Sequence, residues 1–372
     1  MRCRQAIFIP LTLAALLGLA LAGCARQPRP APAPPAQARP QPAPAVRPQA
    51  LTMAHHMLLL ERELGADQRD MQLLDALLAS IDREVNFRRA YNWEQAALTL
   101  GSIAMVINSA YGYSPRRLLS TGLKDKLLDC DLLTAIYLSV AQRHGLPLKA
   151  VVVPRHTFIR WVWPSGQYLN WETTTGQVAS DKHFISGRYL RSVQGRSVGK
   201  DFTLQPGALS GAYLRNLTNG QFLALSHLNV ARGFLDKETR SGGRRSASFQ
   251  DSLVKATDHL NQAIRLDPKR VEAYYGLGIV NYLRGDHQAA ISRMGQAIAL
   301  FPLEPEVFFS RAQMFLASGQ NELGIKDLEE VYRLDPGHPK VPYLLYTAYR
   351  NKGDQAQADL WWKRMQAPTR RY

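Results

Sequence analysis

Three prolines, Pro268, Pro302 and Pro336, stand 34 residues apart and close the similar endings Arg265-Leu266-Asp267-Pro268, Ala299-Leu300-Phe301-Pro302 and Arg333-Leu334-Asp335-Pro336. A fixed period of this length marks one supersecondary unit repeated in tandem. Such a unit cannot bury its apolar face alone and must stack on its neighbours. Inside the period, Tyr274, Leu277, Gly278, Gly285, Ala290, Met294 and Ala297 supply bulky, small and turn residues. The next unit offers Phe308, Ala312, Phe315, Gly319, Gly324, Leu328 and Val331, and a third, less regular one has Leu345, Tyr349, Gly353, Ala358 and Trp362 and reads as a cap. Upstream, Phe222 to Phe234 and Leu253 to Leu266 read as a split first unit around Asp236 to Ser248, a Gly-, Ser- and Arg-rich stretch expected to be a flexible basic loop.

The pattern over 206–367 resembles tetratricopeptide repeats, helix pairs that stack into an all-α solenoid. The resemblance implies a concave surface offered to a protein or peptide partner, the alternative being an array that only scaffolds the neighbouring domain.

At the other end, Met1 to Arg4 are basic, Ile7 to Ala22 are almost wholly apolar, and Leu21-Ala22-Gly23-Cys24 closes the segment with small residues. This is a secretory signal over 1–23, too short for a membrane span. Its end resembles a bacterial lipobox, which implies that Cys24 is acylated and holds the chain on a membrane by its lipid. Residues 24–50 form a tether of Pro, Ala, Gln and Arg, too polar to fold, that reaches up to ~80 Å if extended. Its four arginines, Arg26, Arg29, Arg39 and Arg47, rest on anionic envelope groups or are incidental charge on a solvated spacer. The expected location is the bacterial cell envelope. Ala25 after the acylated cysteine resembles outer-membrane sorting, which gives the periplasmic face of the outer membrane in a Gram-negative host.

The net charge of +16 first suggests a nucleic-acid binder. Setting aside Arg2, Arg4 and the four tether arginines leaves +10, dispersed over helices. No zinc-finger spacing, RNP-like motif or Gly-Lys phosphate loop is present, so nucleic acid is not an expected partner. His55, His56 and His144 show no metal-ligand pattern, and no cofactor is expected.

Residues 51–205 make a second domain of ordinary size. Leu58 to Phe87, with Leu73, Leu74, Leu77, Leu78 and Ile81 on a helical period, and Trp93 to Tyr111 read as amphipathic helices. Leu127 to His144 reads as a third helix, stopped by Gly145 and Pro147. Ala150 to Val153, His156 to Trp163 and Gln167 to Thr173 read as strands, with a turn at Pro164-Ser165-Gly166. Helices first and an antiparallel sheet after them give an α+β domain.

Cys3 leaves with the signal and Cys24 takes the lipid, so Cys130 is the only thiol of the folded part and has no disulfide partner within the chain. At the first turn of a helix it meets unpaired N–H groups and the positive end of the helix dipole, which favour thiolate. His156 on the strand can take its proton and return it to a leaving amine. An odd hairpin loop, Pro164 to Gly166, puts even-numbered positions of both strands on one face, so Glu172 can orient His156, with Asn170 of the same parity as the fallback third member. Asp129 and Asp131 flank the cysteine and oppose thiolate unless they point away or engage helix N–H groups.

The runs Leu128-Asp129-Cys130-Asp131-Leu132-Leu133, Gly145-Leu146-Pro147, Pro154-Arg155-His156, Arg160-Trp161 and Asn170-Trp171-Glu172-Thr173-Thr174 resemble the transglutaminase-like core of bacterial proteins that join it to tetratricopeptide repeats. The likeness is close over 127–176 and architectural over 51–367. It implies a papain-like fold and a Cys, His, acid triad carried onto Cys130, His156 and Glu172, with glutamate where the family usually has aspartate. Two functions follow. One is a cysteine peptidase, amidase or acyl transferase whose repeats recruit a protein partner or substrate. The other is a non-catalytic, lipid-anchored adaptor or assembly factor that uses the repeats and an inactive papain-like domain for protein binding.

Overall fold

The structure is a computed structural model that describes residues 50–87, 89–115, 118–185, 211–241 and 247–366, without the side chains of 237–241. The signal 1–23, the lipidation residue Cys24 and the tether, all but Ala50, lie outside the described residues. From Ala50 onward the chain is one compact unit.

The first expected helix is interrupted. Helix α1 (Met53–Glu61) passes into a 3-10 turn, Arg62–Leu64, and α2 (Gln68–Glu84) starts afresh. Gly65 at φ 101 ends the first segment, and Asp67 caps the second by accepting from the N–H groups of Arg69 and Asp70. The buried Glu61 carboxylate accepts from the N–H groups of Leu119 (2.7 Å) and Ser120 (2.8 Å), the open start of α4 (Leu119–Asp125). Helix α3 (Trp93–Ala110) leads into β1 (Gly112–Tyr113), which pairs in parallel with β2 (Leu127–Leu128).

Helix α5 (Cys130–His144) begins three residues later than the apolar run, because Leu127 and Leu128 are strand and Asp129 is the N-cap. Strands β3 (Leu148–Val153), β4 (His156–Val162), β5 (Tyr168–Glu172), β6 (Gln177–Ala179) and β7 (Asn216–Leu217) form one antiparallel sheet in the order β6-β5-β4-β3-β7. Trp163 and Gln167 close the loop Pro164–Gly166 by a 2.9 Å bond, and β4 pairs with β5 through Arg160↔Asn170. Even-numbered residues of these two strands therefore share a face, as the odd loop requires. Ile159, Trp161, Leu169 and Trp171 face the helical core, while Phe158 stacks on Phe184 of the short α6 (Asp181–Ile185) on the other side.

Among the described residues the repeats are four helix pairs: α7 (Asn219–Ser241) with α8 (Ala247–Leu266), α9 (Val271–Leu283) with α10 (His287–Leu300), α11 (Pro305–Ala317) with α12 (Asn321–Leu334), and α13 (Val341–Lys352) with α14 (Gln355–Gln366). Gly285, Gly319 and Gly353, again 34 apart, hold the left-handed turns between the helices of the last three pairs, at φ 86, 75 and 86. The stretch expected as a loop from Asp236 is helical to Ser241, since Asp236-Lys237-Glu238-Thr239-Arg240 contains no helix breaker. Residues 242–246 lie outside the described residues. In the last pair Trp361, not Trp362, is the buried residue, because α14 turns Trp362 outward to 46 % exposure.

One apolar core runs from Met53 and Leu58 through Tyr213 to Phe301, Val307 and Met314, so the sheet-bearing part and the repeats share it. Among the described residues no helix is long and apolar enough to cross a membrane.

Candidate functional site

The start of α5 and the facing strand β4 bring Asp129, Cys130, Asp131 and Thr157 together. Asp129 spends its carboxylate as the cap, accepting from the Leu132 N–H at 3.1 Å. Asp131 instead faces the thiol: the Cys130 Sγ–H donates to its Oδ1 at 3.8 Å, and the Thr157 hydroxyl donates to the same oxygen at 2.8 Å. Burial, then Asp131, then Asp129 push the Cys130 thiol well above its ordinary value, and the hydrogen bonds from Thr157 offset only part of this. The helix N-terminus, which should favour thiolate, is outweighed by burial first and by the carboxylates of Asp131 and Asp129 after it.

His156, at the first position of β4, is buried, and its Nε2 lies 2.6 Å from Glu172 Oε2. Burial pushes the Glu172 carboxyl up, but the His156 hydrogen bond and charge, with the hydroxyl (2.7 Å) and N–H (3.0 Å) of Thr174, hold it below its ordinary range. Glu172 is thus the acceptor in this contact and His156 Nε2 the donor. The His156 ring also lies 6.0 Å from that of Phe184.

Asn170 does not reach this pair. Its Oδ1 accepts from Arg160 Nε at 2.7 Å and its Nδ2 donates to Asp181 Oδ1 at 2.6 Å. Arg160 also donates to Asp181 Oδ1 (2.8 Å) and lies over the Tyr168 ring at 4.2 Å. A buried guanidinium claims the nearest amide, because leaving either unpaired costs more than a second partner for histidine returns.

Two residues were not singled out in the sequence. Tyr113 on β1 is partly exposed, and partial burial together with the negative charges of Cys130, Asp129, Glu172 and Asp131 pushes its hydroxyl up to about 12. It therefore stays a neutral phenol within electrostatic reach of the cysteine and the glutamate. Thr157 is the other, placed by its neighbour His156. The only sequence signal for Tyr113 is its place in Tyr111-Gly112-Tyr113 after a helix end, which says nothing of a partner 17 residues on.

Among the described residues no group of three His, Cys, Asp or Glu could hold a metal ion. His55 lies between Thr52 (2.7 Å) and Asp75 (3.0 Å), and His144 stacks on Phe87 and meets Asp82 at 2.7 Å. An open groove of about 700 Å³ lies elsewhere, on α3 and the β5–β6 edge, with Trp93, Leu98 and Met105 exposed along it.

The tetratricopeptide repeat family model matches residues 255–295 and 285–339, and the helix pairs there are repeats of that kind. A TPR repeat-containing protein, YpiA, of Bacillus subtilis (strain 168) is 30% identical over 111 residues, which is 30% of this chain. The chain spans about a quarter, 26%, of that relative's length. Among solved structures, MamA is similar at 21% identity and a TM-score of 0.30, over 38% of this chain and 86% of MamA. YrrB, described as a TPR protein with an unusual peptide-binding site, is similar at 19% identity and a TM-score of 0.31, over 37% of this chain and 64% of YrrB.

Proposed function

We propose that this chain is an adaptor that binds a protein or peptide partner through its tetratricopeptide repeats, with an α+β, transglutaminase-like part of papain-like type that keeps Cys130 as a neutral thiol. The repeat match over 255–339, on helices that stack as pairs, carries the partner-binding half of this reading. The carboxylate of Asp131 against Cys130 Sγ supports the neutral thiol. The signal and lipobox at 1–24 support an envelope lipoprotein anchored through Cys24. In a Gram-negative host its place is the periplasmic face of the outer membrane.

One observation favours a second reading, a cysteine-dependent amide hydrolase or acyl transferase: the 2.6 Å contact of His156 with an ionised Glu172. In that chemistry Cys130 Sγ would attack an amide carbonyl, with its proton passing to His156 and then to the leaving amine. Alkylation by iodoacetamide between pH 5 and 11 separates the two. The adaptor predicts slow reaction at pH 7, no rise until well above the ~8.5 of a free thiol, and at most a twofold change in His156→Ala. Fast alkylation at pH 6 that falls a hundredfold in His156→Ala would make the chain an enzyme.

A further inference from the structure

The turn that delivers His156 breaks a local rule. Val153 pairs with His156, so β3 and β4 are joined by two residues, Pro154 and Arg155. Proline fixes φ near −65° at the first of them, and Arg155 stands at φ 61. That is the pattern of a type II turn, whose second residue is ordinarily glycine because a Cβ is strained there. Lys126 and Leu214 are the other non-glycine residues with positive φ among the described residues, so the cost is not met casually. A residue that glycine would serve better at the backbone is kept for its side chain.

That side chain crosses to the repeats. Arg155 Nη2 donates to Glu304 Oε1 at 3.0 Å, and Glu304 is the N-cap residue of α11 with 14 % of its side chain exposed. Burial pushes the Glu304 carboxyl up, Arg155 pulls it down, and Glu272 and Glu306 push it up again, so Arg155 is the cation Glu304 faces, while Glu272 has the buried Arg270 at 4.0 Å. Around it, Tyr213 donates to Glu272 at 3.1 Å and packs edge-on to Phe301 in the turn before Glu304. The repeat corner is therefore fixed to the common core, and the guanidinium is held from that fixed side.

We infer that Glu304, acting through Arg155, is a positioning residue for the His156–Glu172 pair, so that the repeat array sets the geometry of the candidate site. A change at this corner of the repeats, such as a partner drawing on Glu304, is transmitted to His156 one residue away from the clamp. The inference rests on the reading of His156 and Glu172 as a proton-sharing pair beside Cys130, but not on whether the thiol reacts.

The test follows the N–H proton shared by His156 Nε2 and Glu172, by proton NMR of the full chain, reading its exchange with solvent. Glu304→Gln should raise the exchange rate at least tenfold, and Arg155→Lys should keep it within twofold of wild type. Arg155→Gly, which relaxes the turn and removes the ion pair to Glu304 without substituting any repeat residue, should raise it as Glu304→Gln does, and adding Glu304→Gln to Arg155→Gly should change nothing further. A Glu304→Gln or Arg155→Gly rate within twofold of wild type overturns the inference, as does an undiminished Glu304→Gln effect in the glycine background. Absence of the proton from the wild-type spectrum would instead overturn the paired-site reading on which the inference stands.

Discussion

At the residue scale the decisive contrast is between two carboxylates one residue to either side of Cys130. Asp129 is absorbed by the helix start, where its charge meets N–H groups, whereas Asp131 stays beside the thiol and opposes its ionisation. The sequence shows both aspartates but not which one turns inward, since that depends on Thr157 arriving from a strand 26 residues on. The pairing of His156 with Glu172 was legible, because strand parity needs only the loop length. The capture of Asn170 by Arg160 was not, because it depends on Asp181 from a helix beyond the sheet edge. Glu172→Gln should cost about 2 kcal/mol at pH 7, the usual worth of a hydrogen bond to a charged group. The folded-state pKa of Glu172 is depressed, so its contribution is complete above the ordinary carboxyl range and fades as pH falls through the folded value. Urea unfolding at pH 7 and pH 3.5 checks this: the gap between wild type and variant should be narrower at the lower pH.

At the element scale, periodicity located the long helices and the three strands of the main hairpins, but not the short helices α4 and α6 or the short strands β1, β2, β6 and β7, and it missed boundaries where a cap rather than a hydrophobic pattern decides. Gly65 and Asp67 split the first helix, and Asp129 starts α5 after a two-residue strand that the apolar run conceals. Trp361 and Trp362 are chemically alike and adjacent, so only the final rotation of α14 against Tyr332 picks the buried one. Repeat spacing is the most legible feature because a stacked pair tolerates no change of length. Within the pair α11–α12, Arg311 grips Asp327 by two parallel bonds of 2.7 and 2.8 Å, with the carboxylate buried. Asp327→Ala leaves that guanidinium unpaired and should cost on the order of 3 kcal/mol, seen as an earlier urea midpoint with the helical signal otherwise intact.

At the scale of the whole molecule, the sheet-bearing part and the repeats are packed on one another. Their seam is a shared apolar core with Tyr213 and Phe301 at its centre and the Arg155–Glu304 ion pair at its rim. His227 and His259, 2.9 Å apart between α7 and α8, extend the contact to Glu63 in the 3-10 turn at 3.5 Å. None of this was legible in the sequence, which suggested two domains in series, because the residues that meet lie up to 149 positions apart. Where the candidate site sits is thus tied to how the repeats are held. Partner binding by the repeats is the central claim, and exposed aromatics on the first helices of two pairs, Tyr282 and Tyr343, give the means to test it. The most direct measurement is chemical cross-linking of the full chain in its native cells, comparing wild type, Cys130→Ala and Tyr282→Glu with Tyr343→Glu. The adaptor account predicts a discrete cross-linked complex that survives in Cys130→Ala and is lost in the double variant. A complex that persists in the double variant and vanishes in Cys130→Ala would contradict it.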